Sequence, residues 1–267
     1  MPKQASSITT LLTSLSVLAK ANPSRPARAS LRIHFPGSPS PTTVSTPGTP
    51  LTKDAAALPP SYSIAATALS NITLPNCDLS PVSSHHSSPS SSGGHSRRGS
   101  EASNAAGQIP HYMVICLDLD PPFPSFPVLG PILHSLEADL RLVTEELDVD
   151  EGYIYLTADE EAGPGSEGTS HPRGERRTKP VVGYMGPKPP GLSSPHRYVF
   201  LCWEQPEGVT GQKVREVLGL DSGGEGEEEE EEEGEDLGLA KRMRWDQDGF
   251  ERTLGLGEVV AGNYFVC

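Results

Sequence analysis

Apolar residues along this chain gather into short runs, and most of the runs read as strands. Leu31-Arg-Ile-His-Phe35 alternates apolar and polar positions and predicts a first, half-exposed strand. A Pro-, Ser- and Thr-rich stretch follows to Pro50, with no element assigned to it. Leu58 to Ile64 and Ile72 to Leu74 are short strand candidates bounded by Pro59, Pro60 and Pro75. The run from Tyr112 to Leu119 is a buried strand stopped by Pro121 and Pro122, which cannot donate to a ladder. Tyr153 to Leu156, Tyr198 to Trp203 and Val259 to Val266 complete the set. Leu136, Ala138, Leu140 and Leu142 alternate as in a strand, but the Leu and Glu content favours helix, so this segment is left open. Helical spacing is present in Val209 to Leu218 and in Gln247 to Leu254, the latter capped by Asp246 and ended by Gly255. Many short strands with few helices predict a mainly β protein.

Polar inserts interrupt this pattern. From about 80 to 108 the composition falls to Ser, His, Gly and Arg, with too little apolar surface to offset the entropy of ordering. Further polar or charged inserts run from about 159 to 180 and from about 221 to 239, and all three are expected to be disordered. Subtracting them from 267 residues leaves one domain, at 31–267, behind an N-terminal lead-in at 1–30. Within the lead-in, Ile8, Leu11, Leu12, Leu15 and Leu18 recur at helical spacing. The same stretch reads as a weak secretory signal with Ala19-Lys-Ala21 as its cleavage site, but Thr9, Thr10, Thr13, Ser14 and Ser16 dilute its apolar core. The helix reading is preferred, and with it a cytoplasmic location; no apolar run is long enough to cross a bilayer. On that reading Asn71-Ile-Thr73 is not a glycosylation site.

Charge narrows the partners. The net charge is −14, but ten of the acids lie between Glu225 and Asp236, which leaves −4 for the remainder. A bulk electrostatic attraction to nucleic acid or to an anionic membrane surface is therefore not expected. Four cysteines without a Cys-x-x-Cys spacing imply no disulfide framework, and Cys116 and Cys202 fall within apolar strands, where a thiol behaves as a small hydrophobe. No Gly-x-Ser-x-Gly elbow, His-Glu-x-x-His or phosphate-binding loop is present, so no enzyme activity, metal or cofactor is expected.

Candidate chemistry concentrates in two segments. Cys116-Leu-Asp-Leu-Asp-Pro-Pro122 sets Asp118 and Asp120 on the rim at a strand end, and Gly186-Pro-Lys-Pro-Pro-Gly-Leu-Ser-Ser-Pro-His-Arg-Tyr198 delivers His196 and Tyr198 at a strand mouth. Together with Leu133-His134, Gly130-Pro-Ile-Leu-His134 and Val260-Ala-Gly-Asn-Tyr-Phe265, these segments resemble the phosphatidylethanolamine-binding protein family, in particular its fungal branch, and they occur along the chain in that family's order. The resemblance implies a large central antiparallel β-sheet packed on a smaller sheet, with a few peripheral helices. It also implies a small anion cavity for phosphate-containing head groups, walled by Asp118, Asp120, His134, His196 and Tyr198 and shaped by Pro122 and Pro190. Two carboxylates repel a phosphate, so at least one must be protonated or paired, while the histidines and Tyr198 would donate to phosphate oxygens. The sequence departs from the family pattern at Leu119, where a proline is usual, and at Leu129, where an aromatic is usual.

The family resemblance implies a phospholipid or phospho-head-group ligand, or alternatively contact with a serine carboxypeptidase or a protein kinase; a monomer is expected. Arg97-Arg-Gly-Ser100 matches a basophilic kinase site, which makes Ser100 a phosphorylation candidate.

Overall fold

The computed structural model describes residues 30–37, 40–69, 110–148, 152–158, 179–220 and 237–267. The N-terminal lead-in, the Ile72 to Leu74 strand candidate, Ser100 and nearly all of the three inserts lie outside those residues. Nine strands are formed: β1 (Leu31–Phe35), β2 (Thr42–Val44), β3 (Thr49–Pro50), β4 (Ser61–Ala65), β5 (Tyr112–Asp118), β6 (Ile132–Asp148), β7 (Tyr153–Ala158), β8 (Arg197–Glu204) and β9 (Ala261–Val266). Three α-helices accompany them among the described residues: α1 (Gly211–Leu218), α2 (Leu239–Arg242) and α3 (Gln247–Leu254). The mainly β class is thus as expected. The ambiguous segment around Leu136 to Leu142 is strand, within β6, and the Pro-rich stretch before Pro50 contains β2 and β3, which its composition concealed.

All nine strands belong to one sheet, in the order β2-β1-β4-β7-β6-β5-β8-β9-β3, antiparallel throughout except between β3 and β9. The smaller layer is therefore a hydrogen-bonded continuation of the larger one. Its two ends are joined by Asn263 of β9, whose fully buried side-chain amide donates to the carbonyls of Leu31 on β1 and Val44 on β2, both at 2.9 Å. Gly262 N–H adds a 3.1 Å bond to Ser30 Oγ.

Strand periodicity of two sorts the side chains into two cores. Tyr112, Val114 and Cys116 of β5 and Tyr198, Phe200 and Cys202 of β8 pack into the core that also takes Leu31, Ile33, Tyr62, Ile64 and Phe265. Met113, Ile115 and Leu117 of β5 and Val199, Leu201 and Trp203 of β8 face the other way, onto Val214 of α1 and Phe250 and Leu254 of α3. Cys116 and Cys202 are free thiols buried as the sequence predicts. The helices are stopped by glycines in the left-handed region, Gly219 (φ 66°) and Gly255 (φ 64°), and started by Thr210 and Asp246 side chains that accept from backbone N–H groups.

β6 changes face twice. Against β5, Leu117 pairs Leu133 and Cys116 pairs Ser135, so His134 is an extra residue; likewise Val114 pairs Glu137 and Tyr112 pairs Leu140. These are β-bulges. Leu136 and Ala138 consequently face the helix-side core whereas Leu140 faces the other, although all three alternate in sequence. The second bulge contains Asp139, which adopts φ 57°. Its carboxylate accepts from Gly211 N–H at 2.7 Å and from Gln205 Nε2 at 3.0 Å, and its own N–H donates to Gln205 Oε1 at 2.6 Å, so the strain is held by hydrogen bonds that also start α1.

Because Asn263 satisfies two buried carbonyls at once, Asn263→Ala is expected to lower unfolding free energy by about 2–4 kcal/mol in urea titration.

Candidate functional site

Antiparallel register decides what meets. β5 and β8 are aligned so that Asp118 lies opposite Tyr198, and Leu119 N–H extends the pairing by donating to Arg197 O at 3.1 Å. A proline at 119 would have no N–H for that bond, so the departure from the usual family residue lengthens the ladder by one rung. Two loops then close over the strand ends. Residues 121–131 turn through cis bonds at Pro121–Pro122 and Gly130–Pro131, and Gly130 allows a close approach, since a Cβ there would lie 2.8 Å from Leu119 O. The Pro-rich loop at 186–196 is tied at its end by His196 N–H donating to Cys267 O at 2.7 Å and Cys267 N–H to His196 O at 3.0 Å, and just before its start by Met185 N–H donating to His134 O at 2.8 Å.

Asp118, His134, His196 and Tyr198 are brought together, and all four are buried, between 1% and 4% exposed. The two carboxylates thus do not sit on an open rim as their place before two prolines suggested, because both loops cover them and each acquires a cationic or imidazole partner. Asp118 Oδ2 lies 2.9 Å from His196 Nδ1, and Asp118 Oδ1 accepts from Asp120 N–H at 3.0 Å. His196 Nε2 lies 3.0 Å from Ser193 Oγ and 3.2 Å from Pro122 O. Pro122 therefore contributes through its carbonyl. The ring of Tyr198 meets His134 edge-on at 5.1 Å, faces His196 at 6.5 Å and stacks on Phe265 at 5.0 Å.

Asp120 is directed elsewhere. Its carboxylate accepts three bonds from Arg197: the backbone N–H at 2.8 Å, Nε at 2.9 Å and Nη2 at 2.6 Å. Burial would raise its pKa, but the hydrogen bonds and charge of Arg197 prevail and hold the carboxyl below its ordinary range. Pro190 is exposed and acts through its carbonyl, which accepts from Ser193 N–H at 2.9 Å and so sets the turn that presents Ser193 to His196.

His134 is re-aimed by its bulge, and its Nδ1–H donates to Met185 O. Burial, partly opposed by that bond, lowers its pKa, and the buried guanidinium of Arg242 adds to the lowering. The neutral ring therefore presents Nε2 as a lone-pair acceptor, not as the donor that sequence reasoning assigned. Tyr198 is the complement. Burial first, then the Asp118 charge, pushes its phenol far above the usual range, so the hydroxyl keeps its proton. That hydroxyl is buried with no acceptor in good hydrogen-bond geometry, although the Asp118 carboxylate is near enough to raise its pKa, and its ring packs between the two histidines. The cluster can thus offer a phenol donor, an imidazole acceptor and a carboxylate paired with an imidazole to a small polar ligand.

Three residues that contact the cluster escaped the sequence reading. Arg197 was visible in the His-Arg-Tyr motif, but only the fold shows it bound to Asp120. Ser193 sits in a serine-rich turn with no pattern to single it out. Arg242 is distant in sequence, yet its Nη1 donates to Gly183 O at 2.9 Å and to His134 O at 3.3 Å while Nε donates to Leu237 O at 2.6 Å. Among the described residues, no three His, Cys, Asp or Glu side chains form a group that could hold a metal ion.

Both shifted groups link folding to pH in the same direction. His134, with its folded pKa below 6.5, contributes stability above that pH that is lost as pH falls through the folded value, and Asp120 does the same below 3.8. Urea unfolding between about pH 7.5 and about pH 5 should accordingly show a shallower loss of stability for His134→Gln than for the parent.

Over 115 residues the chain is 30% identical to the carboxypeptidase Y inhibitor of Saccharomyces cerevisiae; the alignment covers 43% of this chain and 47% of that protein, so it spans about half of the relative's length. The crystal structure of a carboxypeptidase Y inhibitor complexed with the cognate proteinase is similar at 17% identity and a TM-score of 0.48, covering 99% of this chain and 97% of that one. The model of the phosphatidylethanolamine-binding protein family matches residues 94–244, more than half of the chain. With its ordered Asp118, His134 and His196-Arg-Tyr198 segments folded into one buried cluster, the chain belongs to the phosphatidylethanolamine-binding protein family.

Proposed function

We propose that the protein is a non-catalytic binding protein whose Asp118, His134, His196 and Tyr198 cluster takes a phosphate-containing head group of the phosphorylethanolamine type. The observation that carries this reading is the buried hydroxyl of Tyr198, a donor beside Asp118 that has no acceptor in good hydrogen-bond geometry and gains one when a ligand accepts from it. The electrostatics support it. Asp120 is neutralised by Arg197 and Asp118 faces His196, so neither carboxylate confronts a phosphate alone. His134 Nε2 suits the proton of a monoprotonated phosphate or of an ammonium group.

A second reading, a proteinase inhibitor, is favoured by the likeness to a protein named for inhibiting carboxypeptidase Y. It requires no occupied head-group site, and the two readings separate cleanly on one substitution.

Tyr198→Phe removes the orphan hydroxyl while keeping the ring stack. Its stability should equal or exceed the parent's by up to about 1 kcal/mol, while calorimetric affinity for phosphorylethanolamine should fall about tenfold. Unchanged affinity in a folded Tyr198→Phe protein would remove the head-group reading. For the inhibitor reading, stoichiometric inhibition of a serine carboxypeptidase that is indifferent to Tyr198→Phe is the expected result.

A further inference from the structure

The segment that follows β3 braces one wall of the site. Residues 51–57 lie against residues 184–189, where the Pro-rich loop begins. The Tyr184 hydroxyl donates to Ala56 O at 2.8 Å, and Lys53 Nζ donates to Pro189 O, also at 2.8 Å. Gly186 packs so closely here that a Cβ would lie 3.1 Å from Ala57 O. The segment is itself fixed to the sheet, because Leu51 N–H donates to Val266 O at 2.9 Å. Lys53 and Pro189 are 136 residues apart in sequence, so nothing in the local pattern marks this lysine as part of the site.

The contact fixes a charge beside the cluster. From Pro189 the loop runs to Pro190, whose carbonyl accepts from Ser193 N–H at 2.9 Å, and Ser193 Oγ lies 3.0 Å from His196 Nε2. Cys267 pairs its backbone with His196 in both directions. Its thiol is pushed up by burial, lowered by the Lys53 charge and raised by Asp118, so one group feels both the lysine and the cluster's carboxylate. The other cations at the site are spent. Arg197 is bound to Asp120, and Arg242 is buried among carbonyls. Lys188, beside Pro189, is exposed and held by no hydrogen bond among the described residues, so its charge is spread over many rotamers. Lys53 differs from all three: a neutral carbonyl anchors it, and among the described residues it makes no ion pair.

We propose that Lys53 is a specificity-determining residue of the head-group site: held on Pro189 O, its ammonium supplies the surplus positive charge that makes the cluster favour a phosphate group. The inference deepens the head-group reading and rests on it. Asp118 and Asp120 are balanced by His196 and Arg197, a pairing that leaves an incoming phosphate little attraction. A further cation tips that balance. Because Lys53 is already held by a hydrogen bond, little ordering is asked of it when the ligand arrives. The lysine is exposed, so its field acts partly through water and its contribution is modest and sensitive to salt. The chemistry it recognises is the phosphate itself, whether free or carried by a head group.

Calorimetric titration of the full chain with phosphorylethanolamine, inorganic phosphate and ethanolamine tests it. Lys53→Met keeps the aliphatic stem and removes both donor and charge; it should weaken binding of the two phosphate probes about fivefold without weakening ethanolamine. The parent's affinity for phosphate should also fall more steeply with salt than the variant's. Lys53→Arg should restore binding to within about twofold of the parent. Asp54→Asn, at the exposed neighbouring residue, changes net charge by the same amount and should alter affinity by less than about twofold, which separates a placed charge from a general one. The urea midpoint of Lys53→Met should stay close to the parent's. Unchanged phosphate affinity in folded Lys53→Met, or an equal loss for ethanolamine, would overturn the proposal and leave the head-group reading standing. A parent that binds neither phosphate probe would remove both. Where both probes depend on Lys53, tighter parent binding of phosphorylethanolamine upholds a head group as the source of the phosphate, and the reverse order upholds free phosphate.

Discussion

The antiparallel register of β5 against β8 is the constraint on which the site depends. It sets Asp118 opposite Tyr198 and, through β9, Tyr198 opposite Phe265, so one row of side chains runs from the carboxylate into the aromatic core. Because side chains alternate with period two, a slip of one residue would send Asp118 to the helix-side core and Leu117 to the site. Burial on both faces of β5 makes such a slip costly at every position along the strand. The same pairing delivers His196 one residue before β8 begins, where its ring reaches Asp118.

Burying this many ionisable groups needs compensation, and the protein supplies it by pairing each with a partner from another segment. Asp120 is satisfied by the backbone and side chain of Arg197 together, which costs less ordering than two independent partners because one residue provides both. Arg242 is treated in the opposite way. Its buried guanidinium is surrounded by the carbonyls of Leu237, Gly183 and His134, and it stitches the last helices to the strand that carries His134. The electrostatic consequence is a neutral His134 beside an Asp118 and His196 pair, with Tyr198 left as the unspent donor. A fully satisfied cluster would be more stable but would have nothing to offer a ligand.

β6 shifts register twice against β5 and once against β7, and both bulges against β5 do something. The bulge at His134 turns a strand residue into a site residue, and the bulge at Asp139 switches the strand from one core to the other while capping α1. The strand thus serves two packed layers, and its length of 17 residues, unusual beside its neighbours, follows from that double duty. The continuity of the sheet has the same origin: the layers are joined through β6 and β7 and locked at the far side by Asn263.

Much of the fold was legible in the residues themselves. The apolar runs at 112–119, 153–156 and 198–203, the helical spacing of 209–218, the cap at Asp246 and the stop at Gly255 all correspond to observed elements, because strand alternation and helix capping are local effects carried by neighbouring residues. The ordered motifs likewise pointed to Asp118, His134, His196 and Tyr198 as one cluster. What the sequence could not contain is any property that arises between distant segments. Pairing of Asp120 with Arg197, the neutral donor state of His134 on Met185 O, the role of Arg242 and the short strands hidden before Pro50 each depend on partners far along the chain. Whether a carboxylate is a ligand group or half of an ion pair, and whether an imidazole donates or accepts, is decided by burial and by the partner that reaches it, and only the tertiary structure brings that partner within bonding distance.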